Sequence, residues 1–216
     1  MGENCMRATA QFKVETDEHV AWLTLNRPEK RNTMGIFFFK ELSENFDKFD
    51  QDLAIRAVII KAEGKSFTAG TYLTEAGSLL SGKAADQRED TRKAILRLQE
   101  GLNKIEQCRK PVIAAIHSHC IGGGIDLISA CDIRIATKDA SFSVRETRMG
   151  IIADLGTLQR LPYIIGHGWF RELALTGRDF TAAEALQMGL LTRVCENRDD
   201  LYAEAGALAS QIAECP

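Results

Sequence analysis

The chain has 216 residues, 45% hydrophobic and 26% charged, with 27 basic against 30 acidic side chains and a formal net charge of −3. That length and apolar content suffice for one sizeable core. The mild acidity excludes the broad basic field that binds nucleic acid or anionic membrane, and no apolar run approaches the roughly 18 residues that cross a bilayer.

The first residues, MGENCMRATAQFKVE, lack the apolar centre of a secretory signal. HVAWLTLN (19–26) is apolar with partial alternation and predicts a strand, and RPEKRN (27–32) follows as a basic turn. Phe38, Leu42, Phe46 and Phe49 fall at i, i+4, i+8 and i+11, predicting a helix over 35–53. AVIIKAEG (57–64) reads as a strand, KSFTAGTYL (65–73) as a loop of small residues, and GSLLSGKAADQRED (77–90) as a mobile stretch or helix start. A helix then runs to about Cys108, with Thr91, Ile95, Leu98, Leu102 and Ile105 on one face. PVIAAIH (111–117) has the pattern of a buried strand, and CIGGGID (120–126) leads into an apolar helix, DLISACD (126–132). IRIAT (133–137) and SFSV (141–144) are short strands, and 155–176 holds helical segments broken at Pro162 and Gly166. Thr181 and Glu184 spell a capping box for a helix ending near Gly189, and LTRVC (191–195) is the last strand. Strands alternating with helices place the chain in the α/β class.

The six cysteines (Cys5, Cys108, Cys120, Cys131, Cys195, Cys215) form no CxxC pair and read as reduced thiols of an intracellular, soluble protein. His117 and His119 flank Ser118 as i, i+2 neighbours that would share a strand face, but no third ligand lies near. No metal is therefore expected.

Three glycines between apolar runs need a reason, because glycine is costly to order. CIGGGID matches neither GxGxxG, since Leu127 stands where the last glycine is required, nor a Walker A loop, since no GK[ST] follows. A strand–glycine–helix passage leaves backbone N–H groups bare, which suits an oxyanion hole. It equally suits close strand–helix packing. A second N–H for such a hole is available from Gly70-Thr71 in the other small-residue loop. Three acids lie in or beside apolar segments: Asp126 directly after the glycines, Glu146 in VRETRMG, and Asp154 in IIADLGTLQRLP. Asp154 reads as a helix N-cap or a working carboxylate. Three carboxyls in one apolar cavity would have raised pKa values and could move protons beside a thioester carbonyl. No GxSxG and no Cys/His pair points to acyl transfer.

VAWLTLNRPEKRN, AVIIKAEGKSFTAGTYL, KPVIAAIHSHCIGGGIDLISACDIRIAT and LALTGRDFTAAEALQMGLLTRV together resemble the crotonase family, the enoyl-CoA hydratase/isomerase superfamily, over about residues 12–213. The resemblance implies a spiral of ββα units in a single domain over 1–216. Its core would span about 10–195, and the family's C-terminal helical region would begin at about 196–216 and be cut short at Pro216. Asp126, Glu146 and Asp154 match the branch that isomerises 3,5-dienoyl-CoA to 2,4-dienoyl-CoA in fatty acid β-oxidation; hydratases carry glutamate and glycine at the first and third positions. In that branch's terms, Glu146 serves C2, Asp154 serves C6, Asp126 tunes the pair, and the Thr71 and Gly123 N–H groups hold the thioester oxygen. The implied partner is an acyl-CoA thioester, met by Arg27, Lys30, Lys65, Ala69 and Gly70, although the basic side chains also read as plain solvated surface. No cofactor is implied beyond the CoA of the substrate. The family also implies a homotrimer or dimer of trimers, in the mitochondrial matrix or a peroxisome-type organelle. Tyr72 departs from the family, which usually has aspartate in that loop. A 2-enoyl-CoA hydratase and a non-catalytic acyl-CoA-binding homologue are the alternative readings.

Overall fold

The long apolar runs 57–62 and 112–116 form strands buried on both faces, and the rest of the chain winds around them. A computed structural model describes residues 10–72 and 84–215. Cys5, Leu73, the N-terminal 1–9 and most of the polar segment before the second helix lie outside the described residues. In chain order come β1 (Phe12–Asp17), β2 (Val20–Leu25), a 3-10 turn (Pro28–Lys30), α1 (Ile36–Gln51), β3 (Ala57–Ala62), α2 (Ala85–Gln107), β4 (Val112–Ile116), β5 (His119–Ile121) and α3 (Gly123–Ser129). Then follow β6 (Ile133–Thr137), β7 (Ser141–Ser143), a second 3-10 turn (Glu146–Met149), α4 (Thr157–Thr176), β8 (Asp179–Thr181), α5 (Ala182–Gln187), β9 (Arg193–Cys195) and α6 (Arg198–Ala213).

The strands form two sheets, in the orders β1-β2-β3-β4-β6-β9 and β5-β7-β8. In the larger sheet every pairing after β1–β2 is parallel. The chain leaves β4 in the large sheet for β5 in the small one, then repeats the step from β6 to β7. Isolated bridges Met34–Thr71 and Thr68–Cys120 carry earlier turns into the same second layer. This is the expected spiral, with one strand in each layer per turn.

Two-residue periodicity explains the burial. Val58 and Ile60 of β3, with Val112, Ala114 and Ile116 of β4, face the main core; Ala57, Ile59, Ile113 and Ala115 face Leu201, Ala205 and Ala209 of α6. In α1 the predicted face is buried, with Phe46 and Phe49 packed edge to face at 5.7 Å between ring centres. Phe46→Ala therefore lowers unfolding free energy by about 3–5 kcal/mol in a urea titration, the usual cost of an unfilled aromatic site.

Several boundaries differ from expectation. α3 begins at Gly123, so two of the three glycines lie in its first turn rather than before it. α4 runs straight through Pro162, which is buried and offsets its lost hydrogen bond by packing; the kink falls at Gly166 alone, at φ 76°. β1, β5 and β8 were not legible: β1 exposes five of its six residues as an edge strand, and the other two have three residues each. The Thr181–Glu184 capping box is present in both directions. His117 and His119 do not share a strand face, because Ser118 between them has φ 54° and turns the chain from β4 towards β5. His117 Nε2 lies 3.2 Å from the Gly64 carbonyl, and His119 Nδ1 lies 2.9 Å from the Ser118 hydroxyl. Burial, then Arg198, pushes His117 down to about 4, so it stays neutral. Among the described residues no three His, Cys, Asp or Glu side chains gather as a metal site. Nor is any helix long and apolar enough to cross a membrane.

Candidate active site

Two glycines set the geometry. Gly122 ends β5 at φ 56° and Gly70 has φ 89°, both in the left-handed region that favours glycine. The two backbones approach closely there: a Cβ on Gly70 would lie 2.5 Å from the Ile121 carbonyl oxygen and 3.3 Å from the Gly123 nitrogen. A Cβ on Gly123 would lie 3.3 Å from the Thr71 nitrogen. The loop is held in place by Met34 N–H donating to the Gly70 carbonyl and Tyr72 N–H donating to the Met34 carbonyl, both at 2.9 Å. Neither the Thr71 nor the Gly123 N–H donates to any described residue. Two bare donors therefore stand side by side, where the sequence had left packing and ligand binding equally open.

These donors open onto a cavity of about 340 Å³ walled by Ile95 and Leu98 of α2, Ile121, Met149 and Leu155, among others. Asp126, Glu146 and Asp154 all line it, as do Ala69, Gly70 and Thr71. The fold thus brings the three acids singled out from the sequence together from three elements.

Each carboxyl has its own setting. Asp126 is 1% exposed on α3, and its Oδ1 accepts the Thr157 N–H at 2.6 Å. Burial pushes its pKa up to about 7 against the pull of Thr157, with Glu146 and Asp154 adding repulsion. Asp126 is therefore the acid that caps α4. Asp154 is not its N-cap; Gly156 holds that position without a side-chain bond. Glu146 opens the second 3-10 turn, with Oε1 3.1 Å from where a Gly122 Cβ would lie and Oε2 sealed from solvent with no hydrogen-bond partner. Burial first, then repulsion from Asp154, raises its pKa. Burial likewise raises Asp154. A carboxylate whose pKa is raised by burial in an apolar wall is a stronger base than one in water.

Raised carboxyl pKa values have a stability consequence. The folded state keeps protons that the unfolded chain releases near pH 4, so stability falls as pH rises from about 4 through 7. Asp126→Asn keeps an acceptor for Thr157 but removes the titration. It flattens that slope and raises stability at pH 8 relative to the unmodified protein, as read by denaturant melts at pH 5 and pH 8.

The basic residues fall elsewhere. Arg27, Lys30 and Lys65 do not line the cavity, whereas Ala69 and Gly70 do. The side-chain amide of Asn32 donates to the Glu63 and Ser66 carbonyls at 2.8 and 2.9 Å, stitching the 27–32 turn to the loop that carries Lys65 and Gly70. Arg27 reaches Gln11 Oε1 at 3.2 Å, and Lys30 and Lys65 are exposed. Among the described residues none of the three has a carboxylate partner. Tyr72 does not line the cavity. Arg145 and Gln99 are additions that the sequence did not reveal: Arg145 lines the cavity and pairs with Asp179, while Gln99 donates to the Asp154 carbonyl at 2.6 Å. Neither stands in a motif, so only the fold exposes them.

The Enoyl-CoA hydratase/isomerase family model matches residues 15–216. A protein of Dictyostelium discoideum named Delta(3,5)-Delta(2,4)-dienoyl-CoA isomerase, mitochondrial, is 46% identical over 199 residues, 90% of this chain and 68% of that protein. The human protein of the same name is 47% identical over 201 residues, 91% of this chain and 61% of its own length. The chain thus spans about two thirds of the length of these curated relatives. A crystal structure from Thermobifida fusca, described as a putative enoyl-CoA hydratase in complex with CoA, superposes with a TM-score of 0.85 at 32% identity, covering 96% of this chain and 80% of that one. With the two-layered spiral, the paired N–H groups and the cavity acids already in place, these matches establish that the chain belongs to the enoyl-CoA hydratase/isomerase family.

Proposed function

We propose that this protein converts 3,5-dienoyl-CoA to 2,4-dienoyl-CoA by proton transfer between two carboxyl groups. The observation that carries this reading is the meeting of Glu146, Asp154 and two bare N–H donors on one apolar cavity. The thioester oxygen lies between the Thr71 and Gly123 N–H groups. Glu146, with Oε1 3.1 Å from where a Gly122 Cβ would lie, takes the C2 proton. The C2–H electron pair spreads through the diene onto the thioester oxygen, where the two donors stabilise it. Asp154, protonated at the start, gives its proton to C6, and the double bonds move from 3,5 to 2,4. Two carboxyls are needed because C2 and C6 are too far apart for one to serve both. Asp126 holds the start of α4 and, through its charge, tunes the pair. Proton transfer accounts for every step, so the reading calls for no cofactor beyond the CoA of the substrate. The turn bearing Arg27 and Lys30, with Lys65 beside it, meets the CoA phosphates.

The names of the two curated relatives carry the same activity and a mitochondrial location, which supports an organellar role in β-oxidation. The reading also carries a homotrimer or dimer of trimers, which sedimentation would measure. The assay is direct. The protein is mixed with 3,5-dienoyl-CoA and the longer-wavelength absorbance of the conjugated 2,4 product is followed. Hydration of a simple 2-enoyl-CoA without that product would overturn the isomerase reading in favour of a hydratase. Binding without either reaction would leave only an acyl-CoA-binding protein.

A further inference from the structure

Asp154 lies in a stretch without regular structure between the second 3-10 turn and α4. Its ends are Gly150 at φ 69° and Gly156 at φ 132°, and Ile151 and Ile152 between them are exposed. Ala153 and Leu155 on either side of Asp154 are buried in the main core, whereas Asp154 itself is half-buried and its peptide is fixed by polar contacts. Asp154 also caps no helix, so something else must set its position.

Between those two glycines, residues 151–155 make three hydrogen bonds to other described residues. Ile151 N–H donates to the Glu146 carbonyl at 3.1 Å, and Arg160 Nη1 donates to the Leu155 carbonyl at 3.5 Å. The third is the shortest and falls on Asp154 itself: Gln99 Nε2 donates to its carbonyl at 2.6 Å. Gln99 is half-buried on α2, next to Leu98 and one turn beyond Ile95, and both of those line the acyl cavity. α2 is in turn locked to α4, because Arg160 Nη2 donates to Asn103 Oδ1 at 2.6 Å and to Glu106 Oε2 at 2.8 Å. The Arg160 side chain is only 10% exposed, so this tie is firm. One rigid helix therefore supplies both the cavity wall and the anchor of the strap.

A second, more polar cavity of about 630 Å³ also borders Asp154, lined by Gln99, Asn103 and Arg160 among others. Without an anchor the strap can turn the carboxyl towards that polar space and away from the substrate. The geometry points to Gln99 as the positioning residue that keeps the Asp154 carboxyl in the wall of the apolar cavity. This rests on the reading of Asp154 as the proton donor. A neutral donor suits the task. A lysine there would add a positive charge beside a carboxyl that must hold its proton. The charged groups around Asp154 are Asp126 from α3, Glu146 and Arg145 from the turn, and Glu106 with Arg160 from α2 and α4, the last two paired with each other.

The test is Gln99→Met, which keeps length and helix propensity but removes the donor, with Gln99→Leu as a second shape. Losing one anchoring bond lowers kcat on 3,5-dienoyl-CoA about 10-fold and leaves KM within about twofold. On an Asp154→Asn background the same change causes no further loss. Carboxyl carbon-13 NMR provides a readout independent of turnover: the Asp154 titration moves down towards the ordinary carboxylate range in Gln99→Met. A loss that persists in full on the Asp154→Asn background, or an unmoved Asp154 titration, would overturn the inference. An unmodified protein inactive on 3,5-dienoyl-CoA would instead sink the functional reading, while the NMR titration would still decide the role of Gln99.

Discussion

Glu146→Gln lowers kcat for 3,5-dienoyl-CoA isomerisation by about 10³-fold, within the range for removing a general base, and leaves KM nearly unchanged. The substitution preserves shape, so the apolar walls at Ile95, Leu98 and Leu155 still bind the acyl chain. What it removes is the basic oxygen. Glu146 Oε2 accepts no hydrogen bond from the described residues and is shielded from solvent, so burial leaves its charge poorly stabilised. That cost is tolerable in a group that must accept a proton, and it has no use in a purely structural one. Stability gives a second, opposite readout. Burial holds the Glu146 pKa above its ordinary value, so the charged form costs folding free energy once the pH exceeds that value. The glutamine variant is therefore less active yet more stable than the parent at pH 8, and the gain shrinks towards pH 4. A variant that loses activity and stability together would mark Glu146 as a packing residue. Steady-state kinetics and denaturant melts on the same preparation decide between the two.

Gly70→Ala lowers kcat/KM by about 10²–10³-fold, the usual loss when one oxyanion donor is displaced. The new methyl would meet backbone, not a flexible side-chain end: the Ile121 carbonyl oxygen at 2.5 Å. Something must shift, and the pieces that can shift are the loop carrying Thr71 and the turn from β5 into α3 carrying Gly123. The wedge thus separates the donors that must converge on one oxygen. The positive φ of Gly70 adds backbone strain to the same position. Gly168→Ala is the control. It lies in α4 with nothing within 4 Å of the added methyl, so it leaves turnover unchanged and improves helix propensity by up to about 1 kcal/mol. Equal losses of activity in the two variants would show that glycine replacement harms this protein generally and would remove the oxyanion argument.

Asp126 shows what a sequence reading leaves open about the tasks of neighbouring acids. Sequence reasoning weighed helix capping for Asp154, because an acid just before a helix is the commonest N-cap. The cap comes instead from Asp126, which is 31 positions away along the chain. Capping depends on where a carboxyl oxygen lies relative to an N–H, and a distant acid can reach as well as a neighbouring one. Gln99 makes the same point more strongly. A glutamine on an amphipathic helix has no distinguishing neighbours, and its bond to Asp154 spans 55 positions.

The sequence by itself determined the α/β class, most of the element boundaries and the buried strands at 57–62 and 112–116, and it singled out six residues that the fold brings to one cavity: Thr71, Gly123, Gly70, Asp126, Glu146 and Asp154. Those features are local. They depend on apolar periodicity, on glycine where the backbone must turn or approach, and on acids standing against apolar runs, which even one chain displays. Only the tertiary structure decided that the Gly70 loop and the Gly122 turn lie side by side, that Arg27, Lys30 and Lys65 stand outside the cavity, and that Asp126 rather than Asp154 caps α4. Each of these is a contact between elements far apart in sequence. Its energy comes from burial and hydrogen bonds made across the spiral, which no local pattern records.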